Sequence, residues 1–478
     1  MPRDIDWGII LRLLLAGVLV AMLNLAPRPH AIRQALDQAR QEVSNADFPA
    51  AFTHVESAAE QIPWRFDLSI LAARYAMQSG LPLQAIRILE QPRVTSRLAP
   101  SELLMLGDAY QQSGDTLMAA AIWQRVTELA PSPEIYQRLA DHYQMRQDYP
   151  ATLDTLLRWL QLKPMDADLN YRIGLLYTTM EPDSSEAYLA QAADLDPSLA
   201  PAAQELQRKI RTARLYEEPA YTFTAAGRAL AALNEWALAE AAFLQATQLR
   251  PDYAEGWAFL GEARQHVPRS SLNKYAGLSE LQHALRLNPD SVSANLLSSL
   301  YWTRQGEYSR AASYLKKTIT LEPENPLLHA ELADALAQQG DLPAAMTSYQ
   351  QAISLAPDDP FFYRVLVEFS LTHQIQVREI ALPAARTAVI LAPEDPEALV
   401  MIGRTLLALE DDLSAERFLF RALKIDPTLA SAHLNMGIVF IQRGDMEKGR
   451  HQLDLAEAYG NGTWTATQAH RFITYYYP

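Results

Sequence analysis

Cysteine is absent from this chain of 478 residues. That excludes a disulfide framework and thiolate metal sites, and it leaves the redox compartment open. Lysine is scarce, confined to Lys163, Lys209, Lys274, Lys316, Lys317, Lys424 and Lys448. The formal charge is −15, with no cluster of Lys and Arg and no aromatic–basic interleaving. The electrostatic footprint of a nucleic-acid binder is missing, so nucleic acid is not expected as a partner. Catalytic signatures are missing too: there is no phosphate-cradling GxxxxGK[ST], no GxSxG elbow and no HExxH. The ten histidines are scattered singly. No catalytic residue, cofactor or metal is therefore expected, and the chain does not read as an enzyme.

What is present is a period. Apolar-acidic stretches end in proline at Pro131, Pro164, Pro197, Pro251, Pro289, Pro323, Pro357, Pro393 and Pro427, at successive gaps of 33, 33, 54, 38, 34, 34, 36 and 34 residues. A fixed period of this kind marks a stack of two-helix units in place of separate globular cores. Residues 326–359 show the internal pattern, with Ala333, Gly340, Ala345, Tyr349, Ala352 and Pro357 at repeat positions 8, 15, 20, 24, 27 and 32. Residues 396–429 hold Gly403, Ala415, Leu419, Ala422 and Pro427 at the same offsets, and 220–253 hold Gly227, Ala239, Phe243, Ala246 and Pro251. In 100–133 the matching residues are Leu103, Gly107, Tyr110, Ala119, Trp123 and Pro131. Small residues at 8, 20 and 27 let helix backbones approach to roughly 8–10 Å, and the larger residue at 24 fills the gap beside them. Glycine near 15 ends the first helix, and proline at 32 cannot continue the second.

In spacing and residue type together the chain resembles the tetratricopeptide repeat family, whose first helix carries Trp, Leu, Gly and Tyr at 4, 7, 8 and 11. Trp257, Leu260 and Gly261 stand in that order here. The resemblance implies an all-α, right-handed superhelical solenoid of about twelve repeats, with the first two and the tenth departing most from the pattern. It also implies a packing role for His329 and His433, at repeat position 4. The acids after the prolines (Asp252, Asp290, Glu324, Asp358, Asp359, Glu394) sit at helix starts, where carboxylates are expected to cap free N–H groups.

Departures from regularity divide the chain. Residues 1–30 form an amino-terminal anchor or signal segment, 31–199 a first block of about five repeats, 200–219 a linker helix acting as hinge or spacer, 220–460 a second block of about seven, and 461–478 an aromatic cap that is also a possible partner contact. Residues 266–275 lengthen one inter-helix turn by about four residues. Asn461, Gly462 and Thr463 form a glycosylation sequon whose use depends on compartment.

From Trp7 to Ala26 there is one charge, Arg12. Twenty helical residues span about 30 Å, the hydrocarbon thickness of a bilayer. Eleven Ile, Leu and Val residues favour insertion by roughly 3–6 kcal/mol against about 2.5–3.5 for an arginine at the membrane centre. Three readings compete: an uncleaved anchor, a cleaved signal peptide with its core at Leu13–Leu23, and a helix buried on the first repeat. The anchor is the expectation. It makes the chain a single-pass membrane protein whose repeats lie outside the cytoplasm.

In the resembled family the first helix of each repeat lines the concave face, with positions 2, 5, 9 and 12 turned to the ligand. Those positions give a candidate groove of Tyr221, Arg228, Leu296, Leu300, Leu327, Phe361, Arg364, Val400, Arg404, Leu434, Ile438 and Ile441. Its expected occupant is a protein or peptide segment with hydrophobic anchors and one acidic residue, the latter facing Arg364 and Arg404. The competing possibility is that each arginine pairs with a carboxylate such as Glu368, and that some apolar members pack within the array or under the cap. The function expected is a membrane-anchored interaction scaffold, a subunit or assembly factor of an envelope complex. The alternative is an accessory domain positioning an enzyme of cell-surface polysaccharide synthesis or export.

Overall fold

A computed structural model of the chain describes residues 29–267 and 275–477. Among these residues every regular element is helical, and twelve helix pairs follow one another, most helices being 13 or 14 residues long. Five pairs precede the unpaired helix Ala200–Arg214, and seven lie between it and the last helix, Trp464–Tyr476. This is the all-α stack of two-helix units that the proline spacing predicts.

The expected anchor at 7–26 and most of the expected loop, 268–274, lie outside the described residues. Among the described residues no helix is long and apolar enough to cross a membrane. A helix of 14 residues is about 21 Å long, short of the roughly 30 Å hydrocarbon core, and these helices spend their apolar faces on one another. The expectation of a single-pass membrane protein with an extracytoplasmic array is therefore corrected.

Two compact units divide the chain, one ending at Thr212 and the other starting at Ala213. The division falls inside the helix Ala200–Arg214. Most of that helix is docked in the first unit. Leu206 is fully buried, the Gln207 amide donates to the Glu186 carbonyl at 2.8 Å, and Arg211 pairs with the Glu186 carboxylate.

Several pairs turn the chain with the same local chemistry. Gly114 and Gly340 close first helices in left-handed backbone, both at φ 93°. The next residue is an aspartate that caps the second helix: Asp115 accepts from Met118 N–H at 3.1 Å and Asp341 from Ala344 N–H at 3.2 Å. Asp148, Asp411 and Asp445 do the same in their repeats. These repeat-position-16 caps are the signal that the sequence reading passed over. Of the six acids after the prolines, only Asp359 caps its helix, accepting from Phe361 N–H at 2.9 Å. Asp395, Asp166, Ser291 and Asn325 cap other first helices from the residue before their start, and among the described residues the remaining first helices have no side-chain cap.

In the pairs with glycine at position 8, the side chain at or next to position 24 lies against bare backbone there. A Cβ on Gly107 would stand 2.4 Å from Trp123, on Gly227 2.6 Å from Phe243, on Gly403 2.8 Å from Leu419 and on Gly437 2.8 Å from Leu453. Gly174 meets Leu189 in the same way at 2.7 Å. In the pair with the longer turn, Gly261 faces Leu281 at 3.0 Å, so the inserted residues leave the contact in place. The alanines at positions 20 and 27 (Ala239, Ala246, Ala345, Ala352, Ala415, Ala422) have no exposed surface.

Gly403→Ala is expected to cost about 1–3 kcal/mol by overpacking. Adding Leu419→Ala to it should cost less than Leu419→Ala does in the wild type, because the new methyl then has room. Denaturant unfolding of the two singles and the double measures this, and strict additivity would show that the two positions do not touch.

Candidate functional site

In the second unit, first helices of neighbouring repeats touch directly. Pro219–Ala232 meets Ala254–His266, which meets Val292–Arg304; Pro326–Gln339 meets Pro360–His373, which meets Pro396–Ala408 and then Ala430–Gln442. Second helices of neighbouring repeats make no comparable contact. Within this unit the first helices are therefore the closely spaced, inner side of the stack, and their outward positions form the candidate binding face.

The structure separates the twelve expected groove residues into three groups. Val400 and Leu434 are core, 2% and 5% exposed, and Ile438 and Ile441 are half-buried beneath the last helix, with Ala469, Phe472 and Ile473 against them. Their place in an open groove is corrected: Val400 packs in the core of the stack, and Trp464–Tyr476, which packs mainly on Met446–Tyr459 and also on Ala430–Gln442, covers the other three. Arg364, Arg404 and Arg228 are engaged. Arg364 bonds Asp395 at 2.7 Å, Arg404 makes a two-point pair with Glu368, one arm at 3.1 Å, and the Arg228 guanidinium lies 5.1 Å from the Phe259 ring centroid. Tyr221 is half-buried edge-on to Tyr216. The third group is open: Leu327 and Phe361 are 54% and 40% exposed, with half-buried Leu296 and Leu300 on the preceding first helix.

The arginine pairs form a pattern. Arg304 pairs with Glu262 and Arg404 with Glu368, each joining one first helix to the preceding one. The first unit builds the same rungs from Arg138 to Asp108 (2.9 Å) and from Arg172 to Asp141 (3.3 Å). Another polar cluster sits deeper in the second unit, where Arg264 pairs with Glu240 and Glu280, and the His266 ring stacks 3.8 Å from Trp236. These groups satisfy one another. A cleft of about 310 Å³ in the first unit, lined by Tyr136, Tyr143, Asp154 and Arg158, is likewise self-paired, with Arg158 on Asp154 at 3.0 Å.

Two carboxylates of the inner face lack such compensation. Glu331 has no hydrogen-bond or ion-pair partner among the described residues, and Asp334 accepts only from the Tyr349 hydroxyl. Both side chains are exposed, with neighbouring helices close enough to remove part of their solvation. That loss of solvation raises both pKa values, with the Asp334 charge adding to the effect at Glu331 and the Tyr349 bond opposing it at Asp334. The Tyr349 hydroxyl is pushed up for the same reason, with Asp334 and Glu331 adding to it.

A carboxyl raised in this way favours the fold while protonated, and it loses that contribution as pH climbs through the raised value. Glu331→Gln should therefore raise the melting temperature at pH 7 and leave it nearly unchanged below pH 4.5, the group's ordinary pKa. Thermal melts at both pH values check this; an equal shift at both would remove ionisation as the cause.

Residues 303–366 match the family model described as tetratricopeptide repeat. That span contains Leu327, Glu331, Asp334 and Phe361. No curated protein matches the chain. Among solved structures the chain is similar to yeast Tom70, at 15% identity over 93% of this chain and 95% of that one, with a TM-score of 0.41. It is similar to the Cut9-Hcn1 hetero-tetramer of APC/C, at 13% over 94% and 97%, with a TM-score of 0.39. It is also similar to YrrB, a TPR protein with an unusual peptide-binding site, at 19% over 40% of this chain and 97% of that one, with a TM-score of 0.30. The family match falls on the helix pairs within 303–366, which are similar to tetratricopeptide repeats, and helix pairs of like length and order run through both units.

Proposed function

We propose that this protein is a non-enzymatic scaffold that holds a segment of a partner protein on the inner face of its second unit. The observation that carries the reading is the exposure of two large apolar side chains, Leu327 and Phe361, on first helices that touch each other. Burying a large apolar side chain is worth about 1.5–3 kcal/mol, and well-packed apolar anchors at the centre of an interface dominate its affinity. Leu296 and Leu300 are half-buried on the first helix of the preceding repeat. The settings expected from the sequence, an envelope complex or a surface-polysaccharide enzyme, rested on the membrane anchor and are not carried further.

Arg364 and Arg404 change role. Reversing both charges would leave Asp395 and Glu368 facing like charges, so that variant should lose stability as well as binding. The cleaner test is Leu327→Ser with Phe361→Ser, since both side chains are already open to solvent. Helicity and melting should be retained, while partners recovered by affinity purification from the native host fall at least about tenfold, as expected for losing two anchors worth over 1 kcal/mol each. Unchanged recovery by a folded double variant would move the binding site elsewhere, first to exposed Trp464 and Tyr475 on the last helix.

A further inference from the structure

Second helices turn one side to the core and the other to solvent, and packing places no demand on the outward side. On Leu342–Leu355 the exposed repeat positions 22, 25, 26 and 29 are Thr347, Gln350, Gln351 and Ser354. Two repeats on, the same positions carry Arg417, Phe420, Arg421 and Lys424. Their helix, Asp412–Ile425, buries Ala415, Leu419 and Ala422. Opposite that buried side it exposes Leu413, Arg417, Phe420 and Lys424, at i, i+4, i+7 and i+11, with Arg421 beside them. Residues at this spacing form one continuous row along a helix, so folding gathers cations that the sequence spaces three and four apart. The row is not a solvated polar face, since Leu413 is 61% and Phe420 65% exposed.

Charge and period together say what covers this row. No carboxylate lies within ion-pair distance of Arg417, Arg421 or Lys424 among the described residues. Arg421 reaches only the Pro393 carbonyl, at 3.4 Å, and the Phe418 ring, at 6.0 Å. The neighbouring acids are engaged elsewhere: Glu416 pairs with Arg443, Asp411 and Asp426 accept from backbone N–H groups, and Asp412 sits in the first turn, at the positive end of the helix. Three cations are thus left without an acid in a chain of net charge −15. Leu413 and Phe420 are seven residues apart, and so are Arg417 and Lys424. An apolar row flanked by a charged row, both repeating every seven residues, is the pattern of a helix–helix seam, in which the apolar residues supply affinity and the flanking charges choose the partner.

We propose that the outward row of Asp412–Ile425 is a second docking surface, taken by an amphipathic helix of a partner protein whose apolar residues recur every seven positions with glutamate or aspartate beside them. It is independent of the inner-face reading given above. The partner's apolar residues cover Leu413 and Phe420, and its carboxylates pair with Arg417 and Lys424. A basic helix is rejected, because its cations would meet three like charges with no acid between them. An anionic membrane fits less well than an acidic helix. It extends beyond the roughly 8–10 Å over which the charge of this row is felt, and so meets the field of a chain that is strongly acidic as a whole.

The test uses the full chain and three labelled helical peptides of about 14 residues, a length of roughly 21 Å. All carry leucine at seven-residue spacing and differ only in having glutamate, glutamine or lysine beside it. Fluorescence anisotropy should place the glutamate peptide at least about threefold tighter than the glutamine one, and the lysine peptide weakest. Arg417→Gln with Lys424→Gln, which breaks no ion pair within the protein, should remove the glutamate preference and keep the melting temperature. Leu413→Ser with Phe420→Ser should weaken the glutamate peptide at least about tenfold in a folded protein, whereas Leu327→Ser with Phe361→Ser should leave its affinity unchanged. Equal affinities, or a preference for lysine, would overturn the acidic assignment. Glutamate-peptide binding that survives Leu413→Ser with Phe420→Ser, or that is lost in the inner-face variant, would overturn the surface. So would failure of every peptide to bind, and co-sedimentation with phosphatidylserine vesicles in that case would assign the row to a membrane.

Discussion

Where the first helix of a pair has no side chain, the second helix inserts one. Trp123 against Gly107, Phe243 against Gly227 and Leu419 against Gly403 each occupy the space a Cβ would claim. This contact sets how close the two helices of a pair can lie, and the fully buried alanines at positions 20 and 27 depend on that closeness. The first helices of neighbouring pairs then meet on one side of the second unit, and that side becomes the face available to a partner. The missing carbon sets helix spacing in the pairs that have glycine at position 8, whereas Ala333 and Val367 stand there in the pairs that carry Leu327 and Phe361.

The charges on that face are arranged by a different rule. Rungs such as Arg404 to Glu368 and Arg138 to Asp108 join first helices of successive repeats. Being partly exposed, each contributes little to stability by itself, typically under about 1 kcal/mol. Their larger effect is to cancel charge that would otherwise face a ligand.

The helix pairs were legible because their signals are local: a proline that stops a helix, a small residue where backbones cross, a large one to fill the gap. The caps were only half legible. Asp115 and Asp341 follow turn residues at a constant offset, but the acids beside the prolines are more conspicuous in the sequence and mostly cap nothing. Left-handed turn residues also hide when they are not glycine, as at Gln147 and Glu410, both of which have positive φ. Binding-face residues were least legible, because their fate depends on other repeats. Val400 and Arg404 sit on one helix at positions taken to be equivalent, yet one is core and the other reaches Glu368 on the previous repeat. Leu434 and Ile438 lie under a helix that belongs to no repeat.

The glycine and the side chain that fills its place lie within a single repeat, whereas the rungs of the inner face need two. Duplication or loss of a whole repeat therefore carries its packing lock along intact, while apolar and charged contacts at the junction are remade. Substitution on the inner strip, in turn, leaves the lock untouched.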